Sequence, residues 1–135
     1  MTTFRVIFAV LFGLVLGSIA NMALVMISGY IIPPPPGVDM TTAEGINAGL
    51  PLLEARHFMF PFLAHAVGTL VGAFVAVKMT TPYKLPAAMA IGALFFVGGV
   101  LASRMIPAPT WFIAVDLIFA YFPCAWLGYW LARPR

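Results

Sequence analysis

Charged side chains are scarce in this chain. They make up 8% of its 135 residues, whereas an ordinary globular domain carries about 25%. The mean hydropathy is +1.05, and 63% of the residues are hydrophobic. So apolar a composition excludes a soluble globular domain. We therefore predict an all-α integral membrane protein that forms a single transmembrane domain over residues 1–135.

Cysteine and histidine are also rare. The single cysteine, Cys124, excludes an intramolecular disulfide and a cysteine-based zinc site. The two histidines, His57 and His65, are eight residues apart, which is about 80° around a helix. This spacing matches no zinc motif, so we predict neither a metal site nor a cofactor.

Nucleophile and phosphate-binding motifs are missing as well. The three serines stand in no nucleophile motif, and Gly98-Gly99 lies in an apolar run without the other residues of a phosphate loop. No catalytic residue is predicted. The net charge of +3 does not indicate nucleic acid, because the seven basic residues stand mostly at the ends of apolar runs. Such residues anchor a protein at a membrane surface, so the lipid bilayer is the predicted partner.

Four apolar runs are long enough to cross a bilayer as helices, which takes about 20 residues. The predicted spans are residues 4–32, 57–79, 85–106 and 111–131. The first run continues to Ile32, past the small residues that resemble a signal-peptide cleavage site, so we predict a span there. Pro61 and Pro123 predict bends in the second and fourth spans. We expect a four-transmembrane-helix bundle.

Residues 33–56 are predicted to form a long outer loop that carries short helices. Pro33–Pro36 end the first span because proline cannot continue a helix. Thr41 and Glu44 have the spacing of a capping box. This spacing predicts a short helix directly after Thr41.

Small residues recur along the spans at intervals of four, the spacing that lets two membrane helices approach closely. The second span shows the pattern most clearly, with Ala64, Gly68, Gly72 and Ala76 in register. The glycines predicted at helix contacts are Gly13, Gly17, Gly68, Gly72, Gly92, Gly98, Gly99 and Gly128.

Basic residues predict the orientation through their excess on the cytoplasmic side. With both termini in the cytoplasm, the inside holds Arg5, Lys78, Lys84, Arg133 and Arg135. Only Arg56 and Arg104 are then outside. The composition resembles that of small bacterial inner-membrane proteins, and we expect a multi-pass protein of that membrane.

Polar side chains from all four spans fall in the predicted outer half of the bundle. They are Asn21, His65, Arg104 and Asp116. An Asp or Arg at the centre of a membrane helix costs about 2.5–3.5 kcal/mol, so it is by default a hypothesis of function. We expect Asp116 to contact at least one of Arg104, His65 and Asn21, with Arg104 as the first candidate and His65 as the second.

Two interpretations of this outer polar cluster remain open. In the structural one, the four side chains form a clasp that fixes the bundle. In the functional one, they line a small cavity that opens to the outer face. The residues at the lip of that cavity would be Glu54, Arg56 and His57.

Three classes of function are compatible with the sequence. The first is a structural or accessory role, through self-association or as a subunit of a larger membrane complex, because every span carries small residues. The second is an oligomeric carrier or channel for small solutes, although the inner half lacks a polar track. The third is an enzyme that acts on a lipid or quinone, with His65 and Asp116 as its acid–base pair. We predict the first, with a homo-oligomer or other membrane subunits as partners.

Overall fold

A computed structural model describes residues 2–134, and these form helices and connecting segments without a β-strand. The helices are α1 (Thr2–Ile31), α2 (Ala43–Gly49), α3 (Met59–Met79), α4 (Lys84–Met105), α5 (Thr110–Phe119) and α6 (Phe122–Ala132). Two 3₁₀ turns, Leu50–Leu52 and Ala55–Phe58, connect α2 to α3. Met1 and Arg135 lie outside the described residues, and so does the position predicted for Arg135.

Four helical segments are long and apolar enough to cross a membrane: residues 2–31, 55–79, 84–105 and 110–132. The prediction of an all-helical chain with four candidate spans is thereby confirmed for residues 2–134. The helices follow the apolar runs of the sequence. The fourth segment is not one continuous helix, because it consists of two helices, α5 and α6.

The long helices define two ends of the bundle. Arg5, near the start of α1, donates a hydrogen bond from Nε to the carbonyl oxygen of Met79 at the end of α3, over 3.1 Å. The two helices therefore run antiparallel. We call this end the basic end, because it carries Arg5, Lys78, Lys84 and Arg133. The opposite end, covered by residues 33–58, is called the loop end.

The contact between α1 and α3 is the most extensive in the bundle, and glycines lie at its closest points. A Cβ built on Gly13 would lie 2.5 Å from the carbonyl oxygen of Gly72. A Cβ built on Gly68 would lie 2.9 Å from that of Gly17. A larger residue would push the two backbones apart, so this crossing depends on two glycines from each helix.

Helix α6 packs against the other side of α3, again through a glycine. A Cβ built on Gly128 would lie 2.7 Å from the carbonyl oxygen of Leu70, and one on Gly92 would lie 2.9 Å from the Cβ of Ala125. A buried apolar core fills the half of the bundle next to the basic end, which we call the basic half. Its residues are Ala73, Ala76, Val77, Ala87, Ala88, Ile91, Ala125 and Ala132. Gly98 is exposed and has no atom within 4 Å of a Cβ built on it, so it is not a contact glycine.

The helix α2 in the loop begins one residue later than the capping-box pattern predicts. Thr42 is its N-cap, and its hydroxyl oxygen accepts a hydrogen bond from the N–H of Gly45 at 3.0 Å. Thr41 instead donates from its hydroxyl and its N–H to the carboxylate of Asp39. These two bonds, the hydroxyl first, lower the pKa of Asp39. The predicted pairing of Thr41 with Glu44 is wrong because Asp39 competes for both donors of Thr41.

Two side chains hold the loop in place, His57 between its two ends and Asn47 against the end of α4. The Nδ1 of His57 accepts a hydrogen bond from the N–H of Glu54 at 2.9 Å, and its Nε2 lies 3.2 Å from the carbonyl oxygen of Pro33. A carbonyl can only accept, so Nε2 of His57 carries the ring proton and Nδ1 carries none. Asn47 donates from Nδ2 to the carbonyl oxygen of Met105, at the end of α4.

Pro61 starts a helix where a bend was predicted. It is the third residue of α3, and the N–H groups of a first helical turn have no helical partner. The missing N–H of Pro61 therefore costs no hydrogen bond within the helix.

The crossing of α1 and α3 is tested by adding volume at one of its glycines. We expect Gly72→Leu to lower the free energy of unfolding by about 1–3 kcal/mol, because overpacking forces the two helices apart. Gly98→Leu is the matched control, since it adds the same side chain at an open position. Thermal unfolding in mild detergent measures both variants. Equal unfolding temperatures would show that α1 and α3 do not cross at these glycines.

Candidate functional site

The break between α5 and α6 shapes the site. Pro123 has no N–H to donate to the carbonyl oxygen of Phe119, so the helical hydrogen bond at this point is lost. The thiol of Cys124 replaces the missing donor, with its Sγ 3.3 Å from that oxygen. At the break, Tyr121 has a non-helical backbone with φ −108° and ψ −81°. Its side chain is thereby able to contact Asp116 on the preceding helix.

Asp116 accepts hydrogen bonds from two side chains, and we call the three residues the Asp116 cluster. The hydroxyl of Tyr121 donates to Oδ2 of Asp116 at 2.8 Å. The Nδ1 of His65 lies 2.8 Å from Oδ1 and 3.0 Å from Oδ2. Because a carboxylate only accepts, Nδ1 of His65 carries a proton in this contact. Asp116 is 5% exposed, and these two donors provide the partners that a buried carboxylate requires.

Neighbouring residues hold the cluster in position. Gly99 makes room for Tyr121, since a Cβ built on Gly99 would overlap the tyrosine hydroxyl and ring. The ring of Tyr121 stacks on that of His65, with centroids 5.8 Å apart, and meets the ring of Phe96 edge-on. The hydroxyl of Thr69 donates to the carbonyl oxygen of His65 at 2.8 Å. The two donors to Asp116 are therefore fixed from several sides.

A cavity of about 610 Å³ lies beside the cluster at the loop end. Small-molecule pockets in proteins measure about 300–1,000 Å³. The ends of α1 and α4 form two of its walls, α3 and α5 form the others, and the loop covers it. The lining is mostly apolar and includes Met26, Ile32, Leu53, Phe60, Ile106 and Leu117. An apolar cavity of this size accommodates a small apolar or amphipathic molecule.

Most polar side chains in the cavity wall are occupied within the protein. Ser28 and Ser103 donate to carbonyl oxygens of their own helices, and the hydroxyl of Thr41 donates to a carboxylate of the loop. Both ring nitrogens of His57 have partners, and Asp116, which also lines the cavity, accepts from His65 and Tyr121. His65 differs, because its Nε2 has no hydrogen-bond partner among residues 2–134. Its side chain is 25% exposed and lines the cavity, so Nε2 is available to a bound molecule.

The structure brings together two of the four residues of the outer polar cluster, His65 and Asp116. Arg104 is exposed at the end of α4 and forms no ion pair within the described chain. Its position favours contact with polar surroundings and with the carbonyl end of the helix dipole. Asn21 packs against Gly68 at the α1–α3 crossing and makes no hydrogen bond to the Asp116 cluster. Asp116 thus contacts His65, the partner expected second, and Tyr121, whereas Arg104, the partner expected first, does not contact it.

Of the three residues expected at the lip, only His57 lines the cavity. Glu54 and Arg56 pair with each other at 3.2 Å on the surface of the loop, where their side chains are 65% and 62% exposed. An ion pair this exposed contributes little to stability. Within residues 2–134, no three metal-ligating side chains lie close enough together to hold a metal ion.

Sequence reasoning missed Tyr121, the second donor to Asp116. The available signal was Pro123, which predicts a bend but does not show which side chain the bend redirects. A regular helix would place residues five apart on different faces. The broken turn brings Tyr121 and Asp116 into contact although they are five residues apart.

The contribution of Tyr121 can be measured by removing its hydroxyl. We expect Tyr121→Phe to lower the free energy of unfolding by about 1.5–3 kcal/mol, because the bond is made to a charged group. Tyr30→Phe is the control, since Tyr30 is 90% exposed. Thermal or denaturant unfolding in detergent compares the two variants. If Tyr121→Phe were as stable as Tyr30→Phe, the tyrosine would not support Asp116.

Comparisons of the chain with protein-family models, with curated proteins and with solved structures find no match. The function is therefore inferred from the geometry of the site.

Proposed function

We propose that this chain is a multi-pass membrane protein that binds one small lipid-like molecule in the cavity beside the Asp116 cluster. The cavity carries the proposal: about 610 Å³ of mostly apolar space includes a side-chain nitrogen without a partner among residues 2–134, Nε2 of His65. Molecules that reside in a bilayer combine an apolar body with a polar head group at one end. Their polarity matches that of the cavity.

The outer surface of the helices supports insertion in a bilayer. Large apolar side chains cover it, and Phe4, Ile19 and Leu101 are more than half exposed. Soluble monomers rarely expose contiguous apolar surface of this extent. Lipid tails would cover these side chains, and a lipid-like ligand would then be available at high local concentration.

The distribution of basic residues supports an orientation with the basic end in the cytoplasm. Lys78 and Lys84 flank the turn between α3 and α4, and Arg5 and Arg133 lie at the same end. The loop end, with the cavity, then faces the outer side of the bacterial inner membrane. A molecule of the outer leaflet would reach the cavity directly.

Binding fits the geometry better than self-association or solute transport does. Self-association was expected from the small-residue stripes, but Gly13, Gly17, Gly68 and Gly72 meet neighbouring helices of the same chain. They are therefore not available to a second copy. Transport requires a path through the basic half, and the apolar core around Ala76 and Ile91 fills that half.

The proposed orientation is testable with single cysteines in a Cys124→Ala background. We expect cysteine at Ala48, an exposed residue of α2, to react with an impermeant thiol reagent added to intact cells. Cysteine at Thr81, in the turn at the basic end, should react only after the cells are opened. The reverse labelling pattern would contradict a cytoplasmic basic end.

Binding in the cavity is testable by filling it. Gly29 lines the cavity, and a Cβ built on it has no atom within 4 Å, so Gly29→Phe adds volume without a clash. We expect native mass spectrometry to detect a retained amphipathic molecule in the wild-type protein and to find it lost in Gly29→Phe. Gly98→Phe adds the same ring at an open position outside the cavity and should retain the molecule. Equal retention by both variants would contradict binding in the cavity.

A further inference from the structure

We infer that the molecule bound in this cavity has an uncharged, oxygen-bearing head group that forms a hydrogen bond with Nε2 of His65. The inference rests on the proposed binding function and adds the chemical class of the ligand. Membrane alcohols, phenols and quinones belong to this class. Fatty acids and phospholipids do not, because their head groups are charged.

The small number of polar contacts in the cavity wall limits how many hydrogen-bonding atoms the head group can have. The serines and Thr41 in the wall donate within the protein, and His57 uses both of its ring nitrogens. Asp116 also lines the cavity, but it is 5% exposed and its oxygens already accept from His65 and Tyr121. Nε2 of His65 is therefore the main polar contact that the wall offers. A head group with many hydrogen-bonding atoms would leave most of them without partners in an apolar cavity, which is costly. A hydroxyl or a carbonyl needs few partners.

The charge of the wall excludes an anionic head group. The residues that line the cavity include no lysine and no arginine. With Asp116 ionised, the Asp116 cluster carries a charge of −1 when His65 is neutral and zero when His65 is protonated. An anion bound at Nε2 would therefore meet no net positive charge and would lie close to the carboxylate of Asp116. Like charges this close in an apolar site disfavour binding.

A cationic head group is disfavoured for a different reason. A primary ammonium has three N–H donors, and in the cavity Nε2 of His65 would satisfy one of them. The carboxylate of Asp116 also lines the cavity, but it is 5% exposed and already accepts from His65 and Tyr121. The remaining donors would face apolar side chains such as Ile32 and Leu117. Transfer of such a charge from the membrane surface into this cavity would lose most of its solvation.

A hydroxyl suits both states of His65, and a carbonyl oxygen suits the protonated state. When the ring is neutral, its Nδ1–H donates to Asp116, and Nε2 accepts a hydrogen bond from a hydroxyl. When the ring is protonated, Nε2–H donates to a carbonyl or hydroxyl oxygen. Asp116 and Tyr121 fix the ring in either state, so the ligand requires no rearrangement of the wall.

The test compares head groups on one apolar chain. Terminally fluorinated long-chain probes, namely a primary alcohol, the corresponding carboxylic acid and the corresponding amine, are added to the full-length protein in bilayer nanodiscs of zwitterionic lipid. Fluorine NMR separates the cavity-bound probe from the probe dissolved in lipid. The signal that disappears in Gly29→Phe defines binding in the cavity. The pH is kept where the acid and the amine are charged.

We expect the alcohol to bind at least about tenfold more tightly than the acid or the amine. His65→Phe, which keeps a ring but removes Nε2, should weaken binding of the alcohol by about fivefold or more. Asp116→Asn removes the negative charge at similar size, and it should improve binding of the acid relative to the alcohol by about tenfold. Glu54→Gln is the matched control, because Glu54 is an exposed acid outside the cavity lining. It should change neither the affinity for the alcohol nor the affinity of the acid relative to the alcohol.

Three outcomes would overturn the inference. Tighter binding of the acid or the amine than of the alcohol would contradict the proposed class while leaving cavity binding intact. Equal responses of Asp116→Asn and Glu54→Gln, with both variants folded by thermal unfolding, would show that Asp116 does not set the preference. If no probe gave a signal sensitive to Gly29→Phe, the proposed function itself would fail together with this inference.

Discussion

The structure depends on how the carboxylate of Asp116 is accommodated in an apolar bundle. A buried carboxylate without partners would cost several kcal/mol or lose its charge. Tyr121 and His65 satisfy it with contacts of 2.8 Å each. The other features of the site follow from this requirement. The break at Pro123 brings the tyrosine close to the acid, and the absence of a side chain at Gly99 leaves space for its ring. The contact with Asp116 also fixes which nitrogen of His65 is left for the cavity.

The cavity lies at the loop end because the helices approach most closely elsewhere. The glycines of α1 and α3 bring the two backbones together at Gly13 and Gly17, and helices that cross at an angle separate on either side of the crossing. On the basic side, α4 and α6 fill the space with alanine, valine and isoleucine side chains. On the loop side, the space between α1 and α4 is covered by a loop whose two ends are joined by His57 and which Asn47 ties to the end of α4. The same packing therefore gives a dense half and a half with room for a ligand.

The helices of this fold were predictable because apolar runs and prolines set their ends locally. The site was predictable only in part. The burial of Asp116 followed from its spacing at intervals of four with Ala120 and Gly128. Of its two partners, His65 was expected second and Tyr121 was not expected. Chain proximity favoured Arg104, whereas a helix end beside a polar surface keeps an arginine exposed. Tyr121 became a partner through a change in backbone direction at one broken turn, which a residue pattern does not reveal. The loop helix was displaced by one residue because Asp39 competes for the donors of Thr41.

The most direct test of this account is nitrogen NMR of the two histidine rings in lipid bilayers. The structure assigns them opposite protonation at Nδ1. In His65, Nδ1 carries a proton that is donated to Asp116, and in His57, Nδ1 carries none because it accepts from the N–H of Glu54. We expect one protonated and one unprotonated Nδ1 signal, of which only the first shifts in Asp116→Asn. Two rings with the same state at Nδ1, or a His65 signal that does not respond to Asp116→Asn, would contradict the account.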